Sequence, residues 1–186
     1  MEFRPKNSIK RRRMAKNIAA DTKGVTAVEF GLISPIFFAI LFSAFELALL
    51  LTKIVLMDTA ASEISRFVYI GSASDGTVTM QDLEDRVCNT INLIDSNCQN
   101  NLTIELTTIT DFQSIPTSAA ICKNSGSAIN PTVSFDPGTT NNIVYMRLCL
   151  TTDVYTPGIG LGLSFPKTNG GQIQIVSALA FSNEPF

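Results

Sequence analysis

The stretch "TKGVTAVEFGLISPIFFAILFSAFELALLLTK", residues 22–53, decides how the rest of the chain is read. Between Val25 and Leu51 the only charged residues are Glu29 and Glu46. As a helix rising about 1.5 Å per residue, that run is about 40 Å long, enough to cross the roughly 30 Å hydrocarbon core of a bilayer with some tilt. Residues 25–51 are therefore read as one transmembrane helix.

Charge is divided unevenly around this helix. Residues 1–24 hold eight Lys and Arg against Glu2 and Asp21, a net of +6; the formal charge of the chain is −2, so the remainder carries −8. Basic residues flanking one end of a lone span stay in the cytoplasm, which places the C-terminal part on the far side of the membrane. The triple arginine at residues 11–13 has no interleaved aromatics and abuts a span, so no nucleic-acid partner is expected. A secretory signal peptide has an apolar core of about 7–15 residues followed by a small-residue cleavage site. Here the run is far longer, and the suggestive small residue, Gly24, precedes it. A cut at Gly24 would remove the basic arm and leave the apolar helix on the protein.

A glycine, four residues, then a glutamate at the head of an apolar helix resembles the processing site of type IV prepilins. More narrowly, "GVTAVEFGLISPIFF" followed by "FELA" resembles the TadE-like minor pilins, or pseudopilins, of the tight-adherence (Flp-type) pilus. The resemblance is close over residues 20–70 and looser beyond, where "FDPG" (135–138), "IVYMR" (143–147) and the terminal "FSNEPF" also fit. It implies that a prepilin peptidase cuts between Gly24 and Val25, and it assigns Glu29, Phe30 and Glu46 to assembly or processing. Val25 would then carry a free α-amino group at a helix start, where the macrodipole favours an anion such as Glu29. In a bundle of helices, the Glu29 carboxylate would pair with the amino terminus of an adjacent subunit and set the register.

Glu46 and Pro35 also stand out within the span. An acid or base at a helix centre costs roughly 2.5–3.5 kcal/mol on insertion scales, and less toward an interface. Glu46, near the outer end, is thus tolerable, and two readings stand: contact with a partner helix, or solvation at the interface beside Lys53. Seventeen residues at about 100° each place it on a different face from Glu29. Pro35 removes a backbone donor and predicts a kink or a loosened turn.

Past the span, Leu50, Ile54, Met57, Ala61, Ile64 and Val68 repeat in steps of four and three, so the helix continues to about Ile70 with one apolar stripe. "GSASDGT" (71–77) ends it in a turn. Thr79 and Asp82 form a capping-box-like start to a second helix over 80–94. "LTIEL" (102–106), "IVYMRLCL" (143–150) and "QIQIVSALAF" (172–181) read as strands, the first and third with clear alternation. The Ser-, Thr-, Asn-, Gly- and Pro-rich segment between the first two predicts a long irregular loop. The expected fold is α+β: an antiparallel sheet of about three strands packed on the outer half of the long helix.

Cys88, Cys98, Cys122 and Cys149 all fall on the non-cytoplasmic side, where an even number suggests two disulfides among three possible pairings. Cys88 and Cys98 are the best local pair, which leaves Cys122 to Cys149. No metal or cofactor is expected: there is no CxxC motif and the chain has no histidine. Without histidine the usual catalytic triad is excluded, and "GIGLG" (158–162) lacks the strand-to-helix setting of a phosphate loop. Glu84 and Asp85 are placed on a solvated helix face, so no enzyme is expected.

The organisation that follows is a basic cytoplasmic leader (1–24), a transmembrane helix (25–51) and an extracytoplasmic pilin-like domain (52–186). The expected protein is a minor pilin or pseudopilin of a bacterial inner membrane, single-pass, with its C-terminal domain periplasmic. Its partners would be membrane lipid, the prepilin peptidase, and other pilins and pilus assembly proteins, with no small-molecule substrate. The alternative is a monomeric signal-anchored domain that binds an extracytoplasmic ligand.

Overall fold

The computed structural model describes residues 24–70, 79–123, 131–168 and 170–183. Residues 1–23 of the basic leader and the 71–77 turn lie outside them. The long helix, α1 (Val25–Tyr69), runs through Pro35 without interruption. A second helix, α2 (Met80–Ile91), and a single helical turn, α3 (Cys98–Asn101), precede three strands: β1 (Leu102–Ile109), β2 (Ile143–Thr152) and β3 (Ile173–Ser182). The fold is α+β.

The chain divides into two units between Phe42 and Ser43. In the first, α1 is apolar all round: Val28, Phe30, Leu32, Ile33, Ile36, Phe37 and Ile40 are all exposed. A helix of this kind belongs in the core of a large protein or in lipid. Only 6% of its apolar window is buried among the described residues, so this chain leaves the helix surface uncovered. It is long and apolar enough to cross a membrane.

In the second unit, the remainder of α1 turns amphipathic. Met57, Ala60, Ala61, Ile64 and Val68 are buried, and Leu50 and Ile54 pack at the edge of the same core. Leu83, Val87 and Ile91 of α2 join them, with Leu102, Ile104 and Leu106 of β1 and Val144, Met146, Leu148 and Leu150 of β2. Each fully buried large side chain contributes about 1.5–3 kcal/mol relative to exposure, so this cluster dominates the stability of the unit.

The sheet order is β1-β2-β3, antiparallel throughout, with Glu105 opposite Arg147 and Leu148 opposite Ser177. The central strand lacks clean alternation because both its faces are covered. Val144, Met146, Leu148 and Leu150 point to the helices. Arg147, Cys149 and Thr151 lie on the other face, beneath an irregular strap, residues 115–123. The Arg147 guanidinium donates to Glu105 Oε2 (2.6 Å) and to the Ser118 carbonyl (2.6 Å). Thr151 Oγ1 donates to the Lys123 carbonyl (2.6 Å), and Cys122 is bonded to Cys149. The sequence reads this segment as loop; the strap is irregular, but it forms a covering layer.

Helix α2 starts in a capping box: Asp82 N–H donates to Thr79 Oγ1, and Thr79 N–H donates to Asp82 Oδ2 (2.8 Å). The Thr79 hydroxyl also donates to Asp82 Oδ2 (2.7 Å), and this side-chain bond first, the Thr79 N–H bond second, hold the Asp82 carboxyl below its ordinary value. The helix ends at Ile91, three residues before the sequence-based expectation. Asn92 N–H still reaches the Cys88 carbonyl (2.7 Å), and a tight turn with Ile94 N–H on the Ile91 carbonyl (2.9 Å) then reverses the chain. The reversal brings Cys98, which opens α3, back to Cys88 as a disulfide with a Cα–Cα distance of 5.5 Å.

Candidate functional site

The residues singled out near the N-terminus occupy the first turns of α1. Gly24, Val25, Glu29 and Phe30 are all exposed. A side chain built at Gly24 would meet nothing within 4 Å. The packing of the described residues therefore makes no demand for glycine there. Among the described residues, no ion pair involves Glu29.

Glu46 is different. It is 4% exposed and belongs to the C-terminal unit. Its carboxylate accepts hydrogen bonds from Tyr155 N–H (3.0 Å), Thr156 N–H (2.8 Å) and Thr156 Oγ1 (3.0 Å). Neither reading from the sequence, a partner helix or interface solvation, anticipates this clamp within the same chain. Two backbone donors and a hydroxyl aimed at one carboxylate make a charge tolerable at a buried position.

Two helical turns further along the same face, Lys53 is also buried. Its ammonium lies 3.5 Å from Asp95 Oδ2, donates to Thr152 Oγ1, and sits 5.1 Å from the centre of the Tyr155 ring. Thr152 Oγ1 in turn donates to Asp95 Oδ2 (2.7 Å). Glu46 and Lys53 thus tie α1 to the end of β2 and to the loop that follows. Removing one side of either contact would leave a buried charge or buried donors without a partner, which is strongly destabilising. Sequence reasoning missed Tyr155, Thr156 and Asp95 because they lie 42 to 110 positions from their partners.

Glu84 and Asp85 are half-exposed on α2 and each has a polar partner. Lys123 Nζ lies 3.7 Å from Glu84, and Gln99 Nε2 donates to Asp85 (2.7 Å). Among the described residues no group of three potential ligands gathers to hold a metal ion. Two of the later sequence pieces meet in space. Asp136 and Gly138 of FDPG form a turn, with Gly138 at φ 73° and its N–H on Asp136 Oδ1 (3.1 Å). Asn183 of the terminal piece donates to the Pro137 and Thr139 carbonyls (2.9 and 3.3 Å).

The assembled picture is an exposed apolar helix whose head carries Gly24 and Glu29 and whose tail is locked into a disulfide-bonded α+β unit. The match to known families falls on that helix. Residues 24–66 match the TadE-like protein family. The matched segment runs from Gly24 through Arg66 and takes in Glu29, Pro35, Glu46 and Lys53. No curated protein and no solved structure matches the chain.

Proposed function

We propose that this chain is a minor pilin or pseudopilin that takes part in assembling a tight-adherence pilus after a prepilin peptidase cuts between Gly24 and Val25. The observation that carries the reading is the head of α1. Within a TadE-like helix, Gly24 has no packing role in the chain, and an intramembrane acid, Glu29, stands exposed five residues later. Cleavage would leave a charged amino group on Val25, and Glu29 would pair with that group on a neighbouring subunit.

The span in this reading covers residues 25 to about 45, not 51. Those 21 residues make about 31 Å of helix, matching a hydrocarbon core of about 30 Å. Glu46 and Lys53 are then left to the domain in which they are buried. The basic leader faces the cytoplasm of a bacterial inner membrane, and the disulfide-bonded unit faces the periplasm. Its role is structural rather than catalytic.

The test is the mass of the mature N-terminus in piliated cells, which should begin at Val25. Gly24→Leu, which the fold accommodates, should insert normally, retain the 24-residue leader and be depleted from sheared pili. An uncut wild-type chain in piliated cells refutes the cleavage.

A further inference from the structure

The loop 155–165, "YTPGIGLGLSF", has no part in the function proposed above, yet it is a built structure. Ile159 N–H donates to the Thr156 carbonyl (3.3 Å) and Ser164 N–H to the Leu161 carbonyl (2.9 Å), closing two successive turns. Gly162 is buried against the first of them, and a Cβ there would stand 2.0 Å from the Thr156 oxygen. Only glycine permits that approach. The loop is fastened to α1 twice, by the Glu46 clamp on Tyr155 and Thr156 and by Leu161 N–H on Ser43 Oγ (3.2 Å).

What this rigid loop presents is apolar. Leu163 is 63% exposed, Ile159 47% and Leu161 41%, beside the exposed ring of Tyr155. No charged residue lies between Asp153 and Lys167. The Lys167 ammonium folds back onto the Pro157 carbonyl (3.2 Å) and borders the cluster. A fixed apolar cluster of this kind, edged by a cation, marks a surface that meets something other than water. Covalent continuity says what is nearest. The loop is held on Ser43 and Glu46, and Ser43 directly follows Phe42, the end of the apolar unit. If the apolar unit lies in lipid, residues bonded to Ser43 and Glu46 sit where the chain leaves the bilayer.

We propose that the 155–165 loop is a membrane-contacting collar, which places Ile159, Leu161 and Leu163 in the boundary between headgroups and acyl chains of the bilayer that holds α1. The proposal rests on the membrane-anchored reading above. Apolar residues at this boundary bury about 5–10 Å deep, and tyrosine favours the same level. The Glu46 carboxylate, which would otherwise resist this depth, is enclosed by the loop's own donors.

The chain contains no tryptophan, so one introduced tryptophan is an unambiguous reporter. Full-length Phe37→Trp, Leu163→Trp and Thr140→Trp variants are reconstituted at one copy per nanodisc in phosphatidylcholine, with or without bromine on the acyl chains. Phe37 reports the span. Thr140, exposed in the turn before β2, reports the far end of the sheet from the Thr152 end that meets Lys53. Leu163→Trp is expected to emit at shorter wavelength than Thr140→Trp and to be quenched about twofold by bromines near the headgroup end, within reach of the boundary depth. Thr140→Trp is expected to respond only to aqueous acrylamide.

If Phe37→Trp is quenched by bromolipid and Leu163→Trp behaves like Thr140→Trp, the collar is refuted and the anchor stands. An unquenched Phe37→Trp refutes both. Leu163→Trp shielded from bromolipid and acrylamide alike also overturns the proposal, since the loop then faces protein. Ile159→Trp repeats the measurement should Leu163→Trp fail to fold, and must agree with it.

Discussion

Replacing Glu46 by alanine removes a buried carboxylate from two backbone N–H groups and one hydroxyl, at 3.0, 2.8 and 3.0 Å. A hydrogen bond to a charged group contributes about 1.5–3 kcal/mol, and buried donors left without an acceptor cost about 1–3 kcal/mol each. Water entering the space offsets part of this, so Glu46→Ala should destabilise the C-terminal unit by about 3–5 kcal/mol, the range for breaking a buried charged contact. Glu46→Gln is the sharper perturbation. Its amide oxygen can serve Thr156, but the amide nitrogen then faces Tyr155 N–H, donor against donor. One hydrogen bond is lost, for about 1–3 kcal/mol. The expected order of stability is wild type, then Gln, then Ala. The assay is urea denaturation of full-length protein in nanodiscs by circular dichroism, with limited proteolysis of the 155–165 loop as a local readout. Both variants unfolding within about 0.5 kcal/mol of wild type, the scatter of ordinary surface substitutions, would refute the clamp. Loss from pili at unchanged stability would instead restore the partner-helix role.

Two further outcomes follow from the same unit. In the chain-entropy treatment, a loop of 10 residues closed by Cys88–Cys98 is worth about 2.7 kcal/mol and one of 27 residues closed by Cys122–Cys149 about 3.6 kcal/mol. The paired Cys122→Ser/Cys149→Ser change should therefore lower the urea midpoint more than Cys88→Ser/Cys98→Ser. It should also expose the strap to protease, and a strap as resistant as in wild type would contradict its dependence on the bridge. The α2 cap should be acid-sensitive. Because the Asp82 carboxyl is held below the ordinary aspartate value, its contribution is present above that ordinary value and is lost as pH falls through the lower folded-state value. Hydrogen exchange of the first-turn amides of α2 should accelerate in that window, and Asp82→Asn should abolish the change; an unchanged acid response in the Asn variant counts against the cap.

Most of the secondary structure was legible in the sequence because it rests on near neighbours. The stripe Leu50, Ile54, Met57, Ala61, Ile64 and Val68 lies on the core because helical spacing puts those positions on one face whatever covers them. The Thr79 and Asp82 cap forms between residues three apart. Strands β1 and β3 showed period two because each has one face turned to solvent or to the thin strap. The TadE-like head was legible for the same reason: Gly24, Glu29 and the apolar run are contiguous.

Long-range pairing was not legible, since nothing local marks which distant donors will meet a given acid. Glu46 in the sequence is a charge near a membrane boundary. Folding brings it donors from more than one hundred positions away and makes it a buried clamp. The middle strand hid its two-sided burial in the same way: Arg147 reads as a solvent-facing residue until Glu105 and the strap close over it. Even Gly24 and Gly162, identical in sequence, part company only in three dimensions, one open on every side and the other pressed against a carbonyl. Periodicity and caps depend on bonds between neighbours and survive in any context; the burial and partnering of a charge depend on which remote surfaces the core brings together.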